Sequence, residues 1–468
     1  MNNQEQKTAN HHYIAIIGGS VSGSEAANML AEQGHKVVVF DQNELPYGKL
    51  EDGLPMWHAS LRDRQEQAID EKLDHPNIEY FPLTEVGKDV SFEALVNDWG
   101  FSAVILANGA WDDRPLGLEQ LEKKVGTNLI YQNPFLYWFN HKHEPGYNGP
   151  RYEVKNNTVV FGGGLASIDV IKIVMMELVM DALKKKYNID VDVFTLEKKG
   201  VADILAEHNL TLDDLGIIPA NLVYRRAAED MPLAQPSDDT PEKIEKARQT
   251  SKKLIEKYTE KFLFNFIPQA VAEREIFEDG KFKGLVLRKM DQDGRKLIPT
   301  DETIEIDTEL VISSIGSIPK KINGLEYDGE KLRIKEGSSY KVYGFDNVYA
   351  IGNAITGKGN IMSSKKHGRE MTARIIDKHL EDMMDLNKID ALEEKITLHN
   401  KFIQNKVVQQ IGDIEKTILN DKTISKEKEE YLLEKTSKLR DVQNYFNYSH
   451  WIKDHKPVRL EEQLGLVH

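Results

Sequence analysis

The stretch "YIAIIGGSVSGSEAANMLAEQGHKVVVFD", residues 13–41, constrains the fold of this chain more than any other. Four apolar residues, Ile14 to Ile17, run into a glycine turn; a helix-like stretch follows, and a second apolar run, Val37 to Phe40, ends in Asp41. Strand, glycine turn, helix, strand and acid form a βαβ unit of the dinucleotide-binding kind. Gly18 permits the tight turn, Gly23 lets the helix pack closely, and the helix N-terminus faces a pyrophosphate. Ser20 stands where the second glycine of the usual pattern falls, with Gly19 beside it. Asp41 is placed to accept hydrogen bonds from a ribose.

A second unit of this kind, "NTVVFGGGLASIDVIKIVMMELV" (157–179), has its glycine turn at Gly162, 144 residues after Gly18. Val159 to Phe161 read as its strand and Gly162, Gly163 and Gly164 as its turn. Ala166 follows, and Ser167 takes the third small position. The apolar run Ile168, Ile171, Ile173 and Val174 with Met175 and Met176 reads as helix core. Two such units in one chain imply two bound dinucleotides.

The chain's 468 residues suffice for two or three domains. Its 76 acidic residues against 61 basic ones give a net charge of −15, which argues against a nucleic-acid or anionic-membrane binder. With no cysteine, disulfides, thiolate nucleophiles and cysteine-held metal clusters are excluded, so electron chemistry requires an organic cofactor or a non-thiolate metal. No 18-residue apolar run predicts a membrane span, and no secretory signal is read at the N-terminus. A cytoplasmic location is expected.

Three further segments suit a two-nucleotide architecture. "SAVILANGAWDDRPLG" (102–117) and "TELVISSIGSIPKKINGL" (308–325) are apolar strands stopped by small-residue turns. "VYGFDNVYAIGNAITGKGNIMSSKKHGREMTARIIDKHL" (342–380) carries a strand at Val348 to Ile351, then Gly352 and Asn353, then a glycine-rich turn. Together these residues resemble the adrenodoxin reductase and glutamate synthase small-subunit group, flavoenzymes that use FAD with a pyridine nucleotide. The resemblance spans about residues 13–380. It implies that Gly18, Gly19, Ser20 and Gly23 meet the FAD pyrophosphate and that Asp41 meets its ribose. Gly48, Gly53, Leu54 and Pro55 ("LPYGKLEDGLPMWH", 45–58), with Asn108, Gly109, Gly352, Asn353, Gly359, Asn360 and Ile361, would approach the flavin. Asn353 and Asn108 replace residues more usual in the group. The disulfide-reductase branch needs a cysteine pair and is excluded.

Activity implied by the resemblance is hydride transfer between NADPH and FAD, with electrons passed to a small carrier such as ferredoxin or flavodoxin. An electron-input subunit of a larger redox complex and a non-catalytic nucleotide sensor are the alternatives. Hydride transfer needs no side-chain acid or base, since the cofactors carry the reaction. His58 and His367 fall near the expected flavin loops and are candidates for tuning the ring. Basic candidates for docking an acidic carrier are Lys184 to Lys186, Lys198 with Lys199, and Lys365 with Lys366.

The expected fold class is therefore α/β, with two Rossmann-like domains. A discontinuous FAD domain (13–155 and 320–384) would receive an inserted NAD(P)H domain (156–319), after a flexible N-terminus (1–12). Within the insert, residues 237–266 with Thr240 and Pro241 predict a helix, and residues 267–310 predict short strands turning at Gly280, Gly284 and Gly294. In residues 385–468, the spacing of Val407, Ile411, Ile414 and Ile418, and of Leu432, Leu439, Val442 and Phe446, predicts two helices pairing as a hairpin. That hairpin is a candidate homo-oligomer or complex contact.

One question the sequence leaves open is which nicotinamide nucleotide is used. "LVYRRAAEDMP" (222–232) ends a strand in Arg225 and Arg226, which the resemblance assigns to the 2′-phosphate of NADPH, and a guanidinium fork suits a phosphate dianion. "IDVDVFTLE" (189–197) reads as a competing strand ending in Glu197, an acid that suits the free ribose of NADH.

Overall fold

A computed structural model describes residues 12–354 and 390–466, apart from 235, 237, 238, 295, 339 and 420–422. Its framework is two five-stranded, all-parallel sheets. In the first, the strands run in the order Val348–Ala350, Ala103–Leu106, Tyr13–Ile17, Lys36–Phe40 and Ile78–Phe81. The three strands Tyr13–Ile17, Ala103–Leu106 and Val348–Ala350 are short apolar runs buried throughout, as a parallel sheet covered by helices requires, whereas Lys36 and, on the edge strand, Ile78 and Glu79 are only partly buried. Because Val348–Ala350 pairs with Ala103–Leu106, the chain returns to this sheet after building the second one.

The second sheet has the order Leu129–Tyr131, Val311–Ser313, Val159–Phe161, Asn221–Val223 and Asn265–Ile267. Residues 129–131, read from the sequence as part of the first domain, thus belong with the second sheet. The crossing between sheets is tied by a small antiparallel pair, Asp112–Asp113 with Ser317–Ile318. Helix Pro241–Phe262 starts with its proline in the first turn, where the missing N–H costs nothing. Residues 270–307 form a three-stranded antiparallel sheet that is longer-stranded than expected. It turns at Gly280 and Gly294, whereas Gly284, expected at a turn, lies inside strand Lys281–Asp293, where a Cβ would come within 2.3 Å of the Ile306 carbonyl.

The stretch 189–197 is not a strand. Its alternation of apolar and acidic residues loses to a local cap: the Asp192 carboxylate accepts from the Thr195 N–H at 2.9 Å and starts helix Val193–Lys199, which carries Glu197. The strand that neighbours Val159–Phe161 is Asn221–Val223, immediately before Arg225 and Arg226.

The C-terminal region is helical at Asp390–Ile418 and Lys426–Gln443, but the two helices do not make the expected paired seam. Val407, Ile411, Ile414 and Ile418 pack with Ile14, Ile16, Leu30 and Val37 on one face of the first sheet. Leu432 packs with Tyr13, Ala15, Val38 and Trp99 on the other face. The helices straddle the sheet edge instead of zipping together, and Val442 and Phe446 stand 84% and 77% exposed.

The first glycine turn has no slack. Gly18 has φ +99°, and a Cβ on it would lie 2.7 Å from the Ala107 carbonyl; a Cβ on Gly23 would lie 1.8 Å from the Gly18 carbonyl. Gly164, in the second turn, has φ −90° and open space around it. Gly23→Ala is therefore expected to lower unfolding free energy by about 2–3 kcal/mol, and Gly164→Ala to change it by less than about 0.5 kcal/mol. Urea denaturation of both variants measures the contrast, and equal losses would contradict this packing.

Candidate functional site

At the carboxyl ends of the first sheet lies a cavity of about 800 Å³, within the size range of cofactor pockets. Its wall includes Gly18, Ser20, Asp41, Gly48, Gly53, Leu54, Asn108 and Gly109 from the sequence expectations. Gly19 and Gly23 stand behind the wall, and Gly19 donates its N–H to Asp41 Oδ2 at 2.7 Å. The Asn43 N–H donates to Asp41 Oδ1 at 2.9 Å. Burial pushes the Asp41 carboxyl up to about 6, and these two backbone bonds hold it from rising further.

Helix Val21–Glu32 opens onto this cavity with no acid in its first turn, so its amide dipoles are left for an anion. Ser20 has its own use here: its hydroxyl donates to the Tyr47 carbonyl at 2.9 Å, tying the glycine turn to the loop after Asp41. Gly48 (φ +58°) leaves only 3.0 Å between an added Cβ and Ser20 Oγ. Pro55 is buried off the wall. Gly352 (φ +58°) packs on the same helix start, with Ser22 Oγ 2.2 Å from a would-be Cβ. Asn353 lies in the short helical turn Gly352–Ala354. Gly359, Asn360, Ile361, Lys365, Lys366 and His367 lie outside the described residues.

Loop 45–58 is fastened from three directions. Asn140, on helix Gln132–His141, donates to the carbonyls of Glu51 (2.8 Å) and Leu54 (2.9 Å). Arg459, buried near the C-terminus, pairs with Glu51 and reaches Glu66 at 3.1 Å. From the second domain, the Lys172 ammonium lies 4.5 Å from the Trp57 ring centre. Lys172 also pairs with Glu197 at 2.9 Å and with Asp169 at 3.5 Å. Burial alone would depress that ammonium, but the two carboxylates hold it above its ordinary value. His58 is buried, accepts from Trp57 Nε1 at 3.0 Å, and is pushed down to about 3 by burial, with Lys172 adding to the effect. Near pH 7 it is neutral, and it is not among the residues of the cavity wall.

In the second domain, Gly162, Gly163, Gly164, Ala166 and Ser167 lie at the carboxyl end of Val159–Phe161. Ser167 Oγ donates to the Gly164 carbonyl at 2.6 Å. Gly163 has a packing reason to be glycine, since a Cβ would collide with the Tyr224 ring at 2.1 Å. Arg225 is exposed and Arg226 half-buried, directly after the adjacent strand. Glu197 lies on helix Val193–Lys199, paired with Lys172.

The candidate docking lysines are largely engaged. Lys184 pairs with Asp190, Lys185 with Asp181 at 2.8 Å and Lys199 with Glu207 at 2.8 Å, while Lys186 caps the Leu215 carbonyl at 2.7 Å. Sequence reasoning missed Lys49, Trp111 and Ser317 on the cavity wall. Lys49 falls inside a loop read for its glycines, and no sequence pattern marks it. No helix among the described residues is long and apolar enough to cross a membrane.

The fold sets two glycine turns, each at the carboxyl end of a parallel strand, and comparison with known proteins adds to this. No family profile matches the chain. It is 33% identical over 136 residues to the glutamate synthase [NADPH] small chain of Mycobacterium tuberculosis, a match covering 28% of this chain and 25% of that protein. It is 23% identical over 378 residues to that of Halomonas elongata, covering 78% and 67%. M. tuberculosis FprA, an oxidoreductase solved in complex with NADPH, shares the fold: TM-score 0.57, 19% identity, 87% of this chain and 90% of that one. The chain spans about a quarter of the length of the M. tuberculosis small chain it matches. The chain is thus similar in part of its sequence to glutamate synthase small chains and in fold to FprA.

His141, at the end of the helix that fastens the loop, links Glu144 (Nδ1, 2.8 Å) and Asp52 (Nε2, 3.2 Å). Burial works against its protonation, but the hydrogen bonds to Asp52 and Glu144 raise it to about 9. A raised folded pKa stabilises fully below the unfolded value near ~6.5. That stability is lost as pH rises through about 9. Between pH 6 and pH 10 the wild type should lose on the order of 2 kcal/mol more stability than His141→Gln. Denaturation curves at the two pH values test this, and parallel losses would contradict it.

Proposed function

We propose that the chain is an FAD-dependent oxidoreductase that takes reducing equivalents from NADPH and passes electrons to a small carrier protein such as ferredoxin or flavodoxin. The cavity's residues fit FAD: a helix start free of acids, a buried carboxylate at the ribose position, and a glycine turn packed too closely on neighbouring backbone for any side chain. When bound, FAD supplies the two-electron chemistry. The chain's part is to hold the adenosine ribose at Asp41, to set the pyrophosphate against Gly18 to Ser20 and the helix start, and to keep water from the ring with loop 45–58. Gly48, Gly53, Leu54, Asn108, Gly109 and, beyond the described residues, Gly359 to Ile361 are assigned to the flavin.

One observation carries the choice of NADPH: the strand next to the second glycine turn is Asn221–Val223, so Arg225 and Arg226 follow it, and Glu197 sits on a helix in an ion pair. A guanidinium pair at that edge favours a 2′-phosphate over a free ribose diol. With Lys184, Lys185 and Lys199 in ion pairs and Lys186 on a backbone carbonyl, these lysines carry little of a basic docking face. A protein partner would use another surface, and an input role in a larger redox assembly, as the small-chain relatives suggest, stands as the second reading.

Changing Arg225 and Arg226 together to Ala should raise KM for NADPH by about 100-fold, each lost charge-assisted contact contributing ~1.5 kcal/mol, while changing KM for NADH less than threefold. Steady-state reduction of an artificial acceptor with each nucleotide reads both values. Equal effects on the two nucleotides would return the pair to an ordinary surface role.

A further inference from the structure

Along the first cavity, Asp41 marks the ribose end and the Gly18 to Ser20 turn the pyrophosphate. The remaining end is walled by Gly48, Lys49, Trp111 and Ser317, at the crossing toward the second sheet. A dinucleotide's redox ring must occupy that end, because the nicotinamide nucleotide approaches from the second sheet. Lys49 is half-buried there. Its Nζ donates to Ser317 Oγ at 2.8 Å and to Asn133 Oδ1 at 3.0 Å, both neutral oxygens. An ammonium has three N–H donors. Among the described residues the third has no acceptor, and no carboxylate lies within ion-pair distance. Lys320 on the same wall differs, because Glu85 pairs with it.

A cation set against a cavity with only neutral partners is costly unless its charge meets an anion or a group that becomes one. Burial brings the Lys49 ammonium down to about 8, with Asp113 nearby opposing the fall, so it is mostly charged at neutral pH. Reduction moves two electrons and one proton from the nicotinamide, which leaves as NADP⁺, to the flavin ring, which gains one negative charge.

Resting on the FAD assignment above, we propose that Lys49 is a positioning residue for charge: held by Asn133 and Ser317, it faces the redox end of the cavity and stabilises the reduced ring, raising its reduction potential. The charge matters more than the hydrogen bonds, so Lys49→Gln and Lys49→Arg separate the two. Asp113 sits on the other side of the balance, and Asp113→Asn moves the potential upward.

The test is redox-dye equilibration of the full chain loaded with FAD, at pH 7, for the wild type and these three variants. Lys49→Gln should cut the reduced-to-oxidised ratio at a fixed potential at least tenfold, which is about 30 mV for a two-electron couple. Lys49→Arg should stay within threefold of wild type, and Asp113→Asn should raise the ratio. A Lys49→Gln protein that holds FAD yet lies within threefold of wild type overturns the proposal. Should Lys49→Gln not hold FAD, an Asp113→Asn ratio that is unchanged or lowered overturns it. A wild-type chain that takes up no FAD sinks the flavoprotein assignment itself, an outcome distinct from either of these.

Discussion

One buried amide, Asn140 Nδ2, donates to the carbonyls of both Glu51 and Leu54, and the geometry of the cavity depends on the loop so held. The loop lies between the two parallel sheets, and its glycines line the first cavity. Left to itself, a stretch with Gly48 and Gly53 pays the full backbone entropy of ordering. The chain offsets this with contacts from elements far away in sequence. Arg459 brings a charge from the C-terminal end, and breaking such a buried pair costs about 3–5 kcal/mol because the partner carboxylate is left unpaired. Trp451 and Tyr448 reinforce that end: the indole donates to the Glu44 carbonyl at 2.7 Å, and the phenol meets Asp70 at 2.7 Å.

The third fastening couples the domains. Lys172 belongs to the helix that follows the second glycine turn, and it packs against Trp57 of the loop. Glu197 completes that cluster. Its carboxyl would be raised by burial, but Lys172 holds it below its ordinary value, so it is committed as a counter-charge. The Lys172–Trp57 contact thus joins the two domains, while the Lys172–Glu197 pair, inside the second domain, occupies the acid that the sequence offered as the alternative to Arg225 and Arg226.

Both βαβ units were legible because their signals are local: an apolar run, a glycine turn, a helix period and a second run. The helix at 193–199 was not, since the alternation of Ile189 to Val193 mimics a strand, and only the capping contact from Asp192 to Thr195 decides against it. In the C-terminal region the helices were legible from spacing, but their partners were not. Spacing says that Val407, Ile411 and Ile414 share a face; it does not say that the face lies on Ile14 and Leu30. Lys49 was invisible for a related reason. A lysine after a glycine carries no pattern, and its meaning comes from Asn133 and Ser317, 84 and 268 residues away.

We propose, then, a flavoprotein reduced by a nicotinamide nucleotide. The most direct measurement is an anaerobic titration of the purified protein with NADPH, following the visible absorption of bound FAD. A yellow protein, or one made yellow by loading with FAD, that bleaches stoichiometrically on addition of NADPH is the predicted result. A protein that takes up no FAD, or whose bound FAD stays oxidised with both NADPH and NADH, would contradict the account.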